Sequence, residues 1–426
     1  MGLDYYTREC FYMNKKNGFT LVELLAVIVI LAVILVIAVP SIMSTITESR
    51  KGALASSAKL IASSAETAYI SNQTLGIEKT IECRDISNYT DEDYESCTIT
   101  FDSNGKAKVT IVGKGKFEGM GVFLGTKDNA VATEGLITDD TDDHNIRYAG
   151  ASPKNYIKFN DELWRIIGIF NVKTVNETTG EEKTEKLMKI VRNSTLKTNM
   201  SWDSSPSSVN NGSGVNEWSQ ADLMTMLNTY YIGTSTTCNY CIKASQATCS
   251  NSCSSIITPL GNTYASMVEE VVWNTGAIEW DANGITVETA YNAERGTTTG
   301  KKCTSGIYCS DTVTRTTTWP GKVGLIYPSD YGYASTNTSC RANIYDCTNY
   351  PCMNTNWLHS FEDYWTISPY ARSGDAGSAS YVFSGYVTNS GAANGHGVRP
   401  AIYLKSNVFI TSGDGSEGNP YVVSMN

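Results

Sequence analysis

The chain of 426 residues carries 33 Lys and Arg against 43 Asp and Glu, a formal charge of −10, and no basic stripe lies outside its N-terminal segment. Nucleic acid, which needs clustered Lys and Arg, is therefore not an expected partner. The length exceeds one typical domain, and twelve cysteines are many for a reducing compartment but ordinary for an exported, disulfide-held protein.

The first element is an apolar run over residues 19–39, broken by one carboxylate, Glu23. It follows Asn14-Lys15-Lys16-Asn17-Gly18 and is closed by Pro40. At about 1.5 Å per residue, a helix of this length spans roughly the 30 Å hydrocarbon core of a bilayer. The pattern predicts a membrane helix with both lysines on the cytoplasmic side. A lone acid in such a helix is costly in lipid and calls for a partner. A cut after Gly18 would supply one, the new amino group of Phe19, in the same or a neighbouring subunit.

The string from Lys15 to Leu25, Lys-Lys-Asn-Gly-Phe-Thr-Leu-Val-Glu-Leu-Leu, resembles the leader-peptidase site of type IV prepilins. Gly18, the aromatic Phe19, Glu23 as fifth mature residue and Pro40 as the twenty-second all match that family's motif. The resemblance implies a leader over 1–18 (or a short one starting at Met13), cleavage by a prepilin peptidase, N-methylation of Phe19, and assembly with other pilin subunits and the inner assembly machinery. A secretory signal peptide fits less well, because its apolar core is usually shorter and ends at a small-residue cut site. Here Pro40-Ser41-Ile42-Met43 runs straight into more helical pattern.

From Ser41 to about Tyr69 the helix is expected to continue, giving a membrane and assembly helix over 19–70. Ile42, Ile46, Leu54, Ala58, Ile61, Ala65 and Tyr69 fall mostly three or four apart, an apolar stripe suited to packing on a small sheet. Glu48, Arg50, Lys51, Lys59 and Glu66 make the opposite face, and Pro40 is expected to kink or loosen the helix. Residues 71–112 read as a small pilin-like head. Residues 98–111 alternate apolar and polar about Asn104-Gly105, a hairpin signal, and Cys83 and Cys97 bracket an acidic loop that a disulfide would staple. Residues 113–146 turn Gly- and Asp-rich. Asp139, Asp140, Asp142 and Asp143 lack the EF-hand spacing, so the segment reads as a solvated linker rather than a metal site.

Residues 147–426 read as a second domain. Strands are expected at Tyr156–Phe159, Leu163–Phe170 and Leu187–Val191, the first two joined by a turn at Asn160-Asp161. A helix is expected over Trp218–Asn228, with Ser219 as N-cap, Asp222 completing a capping box, and Leu223, Met226 and Leu227 inward. A second helix is expected over Tyr264–Asn274 with Met267, Val268, Val271 and Val272 inward. After Val323–Tyr327 the chain reads as loop-rich until Gly397–Leu404, and Tyr421–Val423 closes it. The strand Glu162-Leu-Trp-Arg-Ile166, the helix with Trp218-Ser and Asp222-Leu, and Val398-Arg-Pro-Ala401 resemble a group of uncharacterised bacterial extracellular domains. That resemblance implies a C-type-lectin-like or sulfatase-modifying-factor-like scaffold, so the fold class expected is α+β: a long pilin-type helix with a small antiparallel sheet, then a loop-rich lectin-like domain.

Candidate chemistry is sparse. His144, His359 and His396 lie far apart and sit in no metal-ligand motif, and no nucleophile elbow, P-loop or zinc-protease signature occurs. No enzyme, metal or cofactor is expected. Cys238, Cys241, Cys249 and Cys253 have zinc-like spacing, but two disulfides on one loop suit an exported protein better. Cys303 with Cys309 suggests another staple. Cys340, Cys347 and Cys352 hold one pair and a candidate free thiol, since Cys10 falls in the leader and leaves an odd number. Residues 327–396 hold nine tyrosines with Trp357 and Trp365 among Ser, Asn, Gly and Thr, a composition of adaptable binding surfaces. Tyr331, Tyr333, Trp357 and Tyr370 are the candidate exposed anchors. The expected protein is a minor or tip subunit of a type IV pilus or related filament. It would be held in the cell membrane through 19–39 and display an extracellular domain that binds a surface glycan or protein. A pseudopilin of a type II secretion or DNA-uptake system is the alternative, and a membrane-tethered surface-modifying enzyme the rival.

Overall fold

The computed structural model describes residues 20–425 except 103, 129, 131, 176–178, 205–213, 239, 241–253, 256, 280–283, 297–312, 347–349, 361 and 373; the side chains of 33–38, 40 and 41 are likewise not described. The chain divides into two compact units, Met1–Arg50 and Lys51–Asn426. Helix α1 (Leu21–Leu75) contributes to both and continues through Pro40 without a break. The lost backbone bond at a proline does not interrupt it.

In the first unit the apolar side chains of α1, among them Leu21, Leu24, Leu25, Ile28 and Ile30, are exposed. Among the described residues no helix is long and apolar enough to cross a membrane. Phe19 and the side chains of 33–38, which belong to the apolar run, fall outside that set.

In the second unit α1 buries Leu54, Ala58, Ile61 and Ala65 of the expected stripe, with Ala62 beside them, and leaves Tyr69 half-buried, whereas Ile42 and Ile46 of that stripe are exposed. Glu66 is not on the solvent face as expected. Only 8% exposed, it accepts from the Ala107 backbone N–H at 3.2 Å and pairs with Lys127 at 2.7 Å. The stripe packs with a four-stranded antiparallel sheet of β1 (Tyr94–Phe101), β2 (Ala107–Gly113), β3 (Met120–Gly125) and β4 (Ala132–Glu134). The β1–β2 hairpin falls where the Asn104-Gly105 signal places it, with Phe101 opposite Ala107. Gly105 supplies a left-handed turn residue at φ 75°. Cys83 and Cys97 form the expected disulfide. Closing a loop of 14 residues, it contributes about 3 kcal/mol by chain-entropy reasoning. Cys83→Ser with Cys97→Ser is therefore expected to lower unfolding free energy by about 2–4 kcal/mol, measurable by thermal or denaturant melting. No change would mean the loop is held by other contacts.

Residues 113–146 are not a linker. They fold as β3 and β4, then β5 (Leu136–Thr138) and β6 (Ile146–Tyr148). The cause lies in β2, every residue of which is buried. Val109 and Ile111 lie on the α1 side in the small core, while Val112, on the alternate face, joins the large one. Lys108 on that second face donates to the carbonyls of Ser406 and Val408, the latter at 2.7 Å. A strand buried on both faces needs cover on both, and the supposed linker supplies part of it.

The large sheet takes β7 (Tyr156–Phe159), β8 (Glu162–Val175) and β9 (Glu182–Arg192), while β10 (Met200–Ser201) lies apart in a two-stranded pair. Asn160 and Asp161 take φ of 54° and 56° and turn β7 into β8, a two-residue hairpin read correctly from sequence. The expected helix over 218–228 is shorter and irregular. A 3₁₀ turn (Trp218–Gln220) precedes α2 (Asp222–Met226) and a π-helical turn (Leu227–Tyr231). Ser219 caps nothing and donates to Glu217, while Asp222 accepts from Ser204; Leu223, Met226 and Leu227 are buried as expected.

The second expected helix is only α3 (Asn262–Ser266). Val271-Val272-Trp273 instead form β11 (Val271–Asn274), where β-branched and aromatic residues fit a pleated surface. Then come β12 (Ile278–Glu279), α4 (Val287–Arg295), β13 (Thr318–Gly321), β14 (Val323–Gly324), α5 (Pro328–Tyr333) and α6 (Thr338–Ala342). The stretch expected to be loop-rich also holds β15 (Tyr364–Ala371), β16 (Ser378–Phe383), β17 (Tyr386–Gly391) and β18 (Gly395–His396); β19 (Ala401–Leu404), β20 (Val408–Ser412) and β21 (Tyr421–Met425) end the chain. The eleven-stranded sheet follows β14-β19-β9-β8-β7-β21-β20, with β6 and β11 joining at β8, and a smaller sheet runs β12-β15-β16-β17. Long helix and mostly β second unit together make an α+β protein.

Candidate functional site

Gly18 and Phe19, the processing residues, lie outside the described residues. Next to them, Glu23 Oε2 accepts from the Thr20 backbone N–H at 2.8 Å and its hydroxyl at 2.9 Å. The carboxylate is thus held at the start of α1. Pro40 lies within α1.

All four candidate anchors are buried, which corrects the expectation. Tyr331 is 0%, Tyr333 1%, Trp357 5% and Tyr370 5% exposed. Tyr331 and Tyr333 sit on α5, where every residue is buried; the Tyr333 hydroxyl donates to Asp140. Trp357 donates to the Tyr148 carbonyl at 2.8 Å beneath the Arg165 guanidinium. Tyr370 pairs with Ile278 in the smaller sheet. Their Gly, Ser and Asn neighbours mark tight packing and turns, not solvent.

The aromatic surface lies elsewhere in the same region. On β16, Val382 points inward while Tyr381 and Phe383 are half-buried on the other face, and Phe383 pairs with Tyr386 of β17. Their rings run in sequence: Trp365–Tyr381 at 5.8 Å, Tyr381–Phe383 at 6.0 Å, Phe383–Tyr386 at 5.6 Å and Tyr386–Tyr350 at 6.5 Å. His396 stacks on Tyr381 at 4.1 Å, and burial pulls its imidazole down to about 4, so it is a neutral ring at pH 7. Tyr350 is 45% exposed. Thr388 on β17, opposite Tyr381, and Asn394 beyond it add a hydroxyl and an amide with at least partial exposure. The period-two pattern Tyr381-Val382-Phe383 was the signal that could have found this strip.

Of the four aspartates, Asp140 and Asp142 are exposed as expected, whereas Asp139 is buried and Asp143 partly so. Asp139 is buried on Thr141, Asn145 and Arg147, and Tyr291 donates to Asp143. Among the described residues no group of side chains is arranged to hold a metal ion. Cys340 pairs with Cys352 and Cys238 is disulfide-bonded; Cys241, Cys249, Cys253, Cys303, Cys309 and Cys347 lie outside the described residues. A groove of about 510 Å³ beside the Cys83–Cys97 staple mixes Glu82, Glu95 and Asp143 with Arg84, His144 and Lys186, with no convergent charge of one sign.

Among known proteins, the family described as the prokaryotic N-terminal methylation motif matches residues 13–39. Comparison with curated proteins and with solved structures gives no match. The motif supports a type IV pilin-like leader and a subunit of pilin or pseudopilin type, processed by a prepilin peptidase and assembled with other pilins. No match extends to the second unit.

Proposed function

We propose that this chain is a non-enzymatic subunit of a type IV pilus or related filament, in a minor or tip position, displaying Lys51–Asn426 outside the cell as an adhesive domain. The methylation motif over 13–39 carries the filament part of this reading. In lipid, before assembly, the subunit is held by the apolar run 19–39. The Tyr381–Phe383–Tyr386 strip supports the adhesive part, with a glycan as ligand: flat rings stack on the apolar faces of sugars while Thr388 and Asn394 offer hydroxyl and amide partners for hydroxyl groups.

The test is a glycan array probed with the full chain and with Tyr381→Ala, Phe383→Ala and Tyr386→Ala. Each substitution at a contact that anchors the ligand is expected to weaken binding by about 1 kcal/mol or more, with a nearly unchanged melting temperature. Trp365→Ala, which truncates a fully buried ring, is the contrast and should cost about 3–5 kcal/mol of stability. Glycan binding unaffected by all three strip substitutions would remove the strip from the adhesive reading.

A further inference from the structure

The interior of the second unit contains a cluster of charges that the adhesive strip does not use. Lys189, in the centre of β9, and Asp330, on α5, are both completely buried, with Lys189 Nζ 2.6 Å from Asp330 Oδ2. The Asp330 carboxyl is also held by Arg147 Nη1 at 2.8 Å on Oδ1 and by the Tyr327 backbone N–H at 3.0 Å on Oδ2. Around the Lys189 amine stand four rings: Tyr327 at 4.0 Å, Trp273 at 5.2 Å, Tyr403 at 5.4 Å and Phe170 at 5.8 Å. The placement is built into the backbone. A β-bulge between Ile166 and Gly168 sets Gly168 opposite Lys189, and a Cβ at Gly168 would lie 2.1 Å from the Ile146 carbonyl oxygen.

An ion pair without solvent keeps two desolvated charges, and the attraction between them does not reliably offset that cost. A neutral amide between the same atoms carries no charge at all. We propose that Lys189 and Asp330 are joined by an intramolecular isopeptide bond formed within the folded domain. The Lys189 nitrogen attacks Asp330 Cγ, and the Cγ–Oδ2 bond breaks. Two protons of the ammonium leave with that oxygen as one water, and Oδ1 becomes the amide oxygen. Ammonium plus carboxylate gives amide plus water, so neither an oxidant nor an external co-reactant is needed.

Arg147 Nη1 stands where negative charge develops on Oδ1, and the aromatic wall shuts out the water that would reverse the step. Holding the two groups at contact distance replaces an encounter between separate molecules by a positioned reaction, which lowers the barrier. Burial also draws the Lys189 amine down to about 8, against the pull of Asp330, so the free amine is accessible near neutral pH. Once the bond forms, the remaining close pairs, Arg147 with Asp139 and Arg295 with Glu294, are each balanced. The bond would tie the central sheet to α5 across 141 positions of sequence.

The test is mass spectrometry of the full chain, reduced and alkylated so that no disulfide holds peptides together, then digested with trypsin. The expected result is one branched peptide containing both Lys189 and Asp330, lighter than its two parts by one water, with no cleavage after Lys189. In Lys189→Met and Asp330→Ala the branch should be absent, whereas Asp330→Asn should form it with loss of ammonia. Should a variant fail to fold, the wild-type digest decides alone. Separate peptides from the folded wild-type protein, with cleavage after Lys189, would overturn the proposal.

Discussion

Arg147→Ala is expected to destabilise the second unit by about 3–5 kcal/mol, because it breaks a buried ion pair and leaves an uncompensated charge in the interior. The Arg147 guanidinium is 1% exposed, bonded to Asp139 at 2.6 Å and Asp330 at 2.8 Å, and lies 4.6 Å from the centres of the Phe170 and Tyr333 rings. Truncation removes both pairings and this packing at once. Denaturant unfolding measures the loss, and a cost under about 1 kcal/mol, within the range of an exposed pair, would show that the cluster is not a keystone. The effect has a pH signature. Burial pushes the Asp139 carboxyl up, but the Arg147 guanidinium and the Thr141 and Asn145 hydrogen bonds together bring it below its ordinary 3.8. The stability Asp139 adds is thus complete above the ordinary carboxylate value and lost as pH falls below it. The Arg147→Ala protein should lose that part of its acid-side slope.

Glu23→Ala is expected to leave cleavage after Gly18 largely intact and to deplete the subunit from filaments. A carboxylate in the hydrocarbon region costs roughly 2.5–3.5 kcal/mol when unpaired, so pairing with the Phe19 amine of a neighbour offers a driving force worth on the order of a hundredfold in incorporation. Immunoblotting of sheared filaments against whole-cell protein measures the ratio, while mass spectrometry of the mature chain should begin at Phe19. Filaments that take up the alanine variant at the wild-type level would show that Glu23 makes no assembly contact. A mature chain beginning elsewhere would undo the leader assignment itself.

The processing motif was legible because its chemistry fixes a few residue types in one register. The Asn160-Asp161 hairpin was legible because few residues tolerate two successive left-handed conformations. Composition misled where it stood in for packing. Tyr331 and Tyr333 have small polar neighbours, yet α5 is buried whole, since its polar groups find partners inside: Asp330 meets Arg147 and Lys189, and Ser329 meets Glu294. Those partners are distant in sequence, and no local pattern announces them. The same holds for Asp143 of the supposed linker, whose partner Tyr291 lies 148 positions away. The strip at Tyr381 and Phe383 was readable and overlooked, its alternation outweighed by the polar residues around it.

The two-sided burial of β2 bears on how this chain could be cut and recombined. A cassette of sequence can be exchanged between proteins when its removal leaves behind a surface that water accepts. Here Val112 and Phe123 belong to the large core although they lie on head strands, and Lys108 reaches two carbonyls near the chain's end. Recombination at the head's border would strand an apolar face on one product and a lone ammonium on the same strand. If the proposed strip binds a ligand, its specificity is therefore expected to change by substitution along β16 and β17, where side chains meet solvent, rather than by exchange of the strands packed behind it.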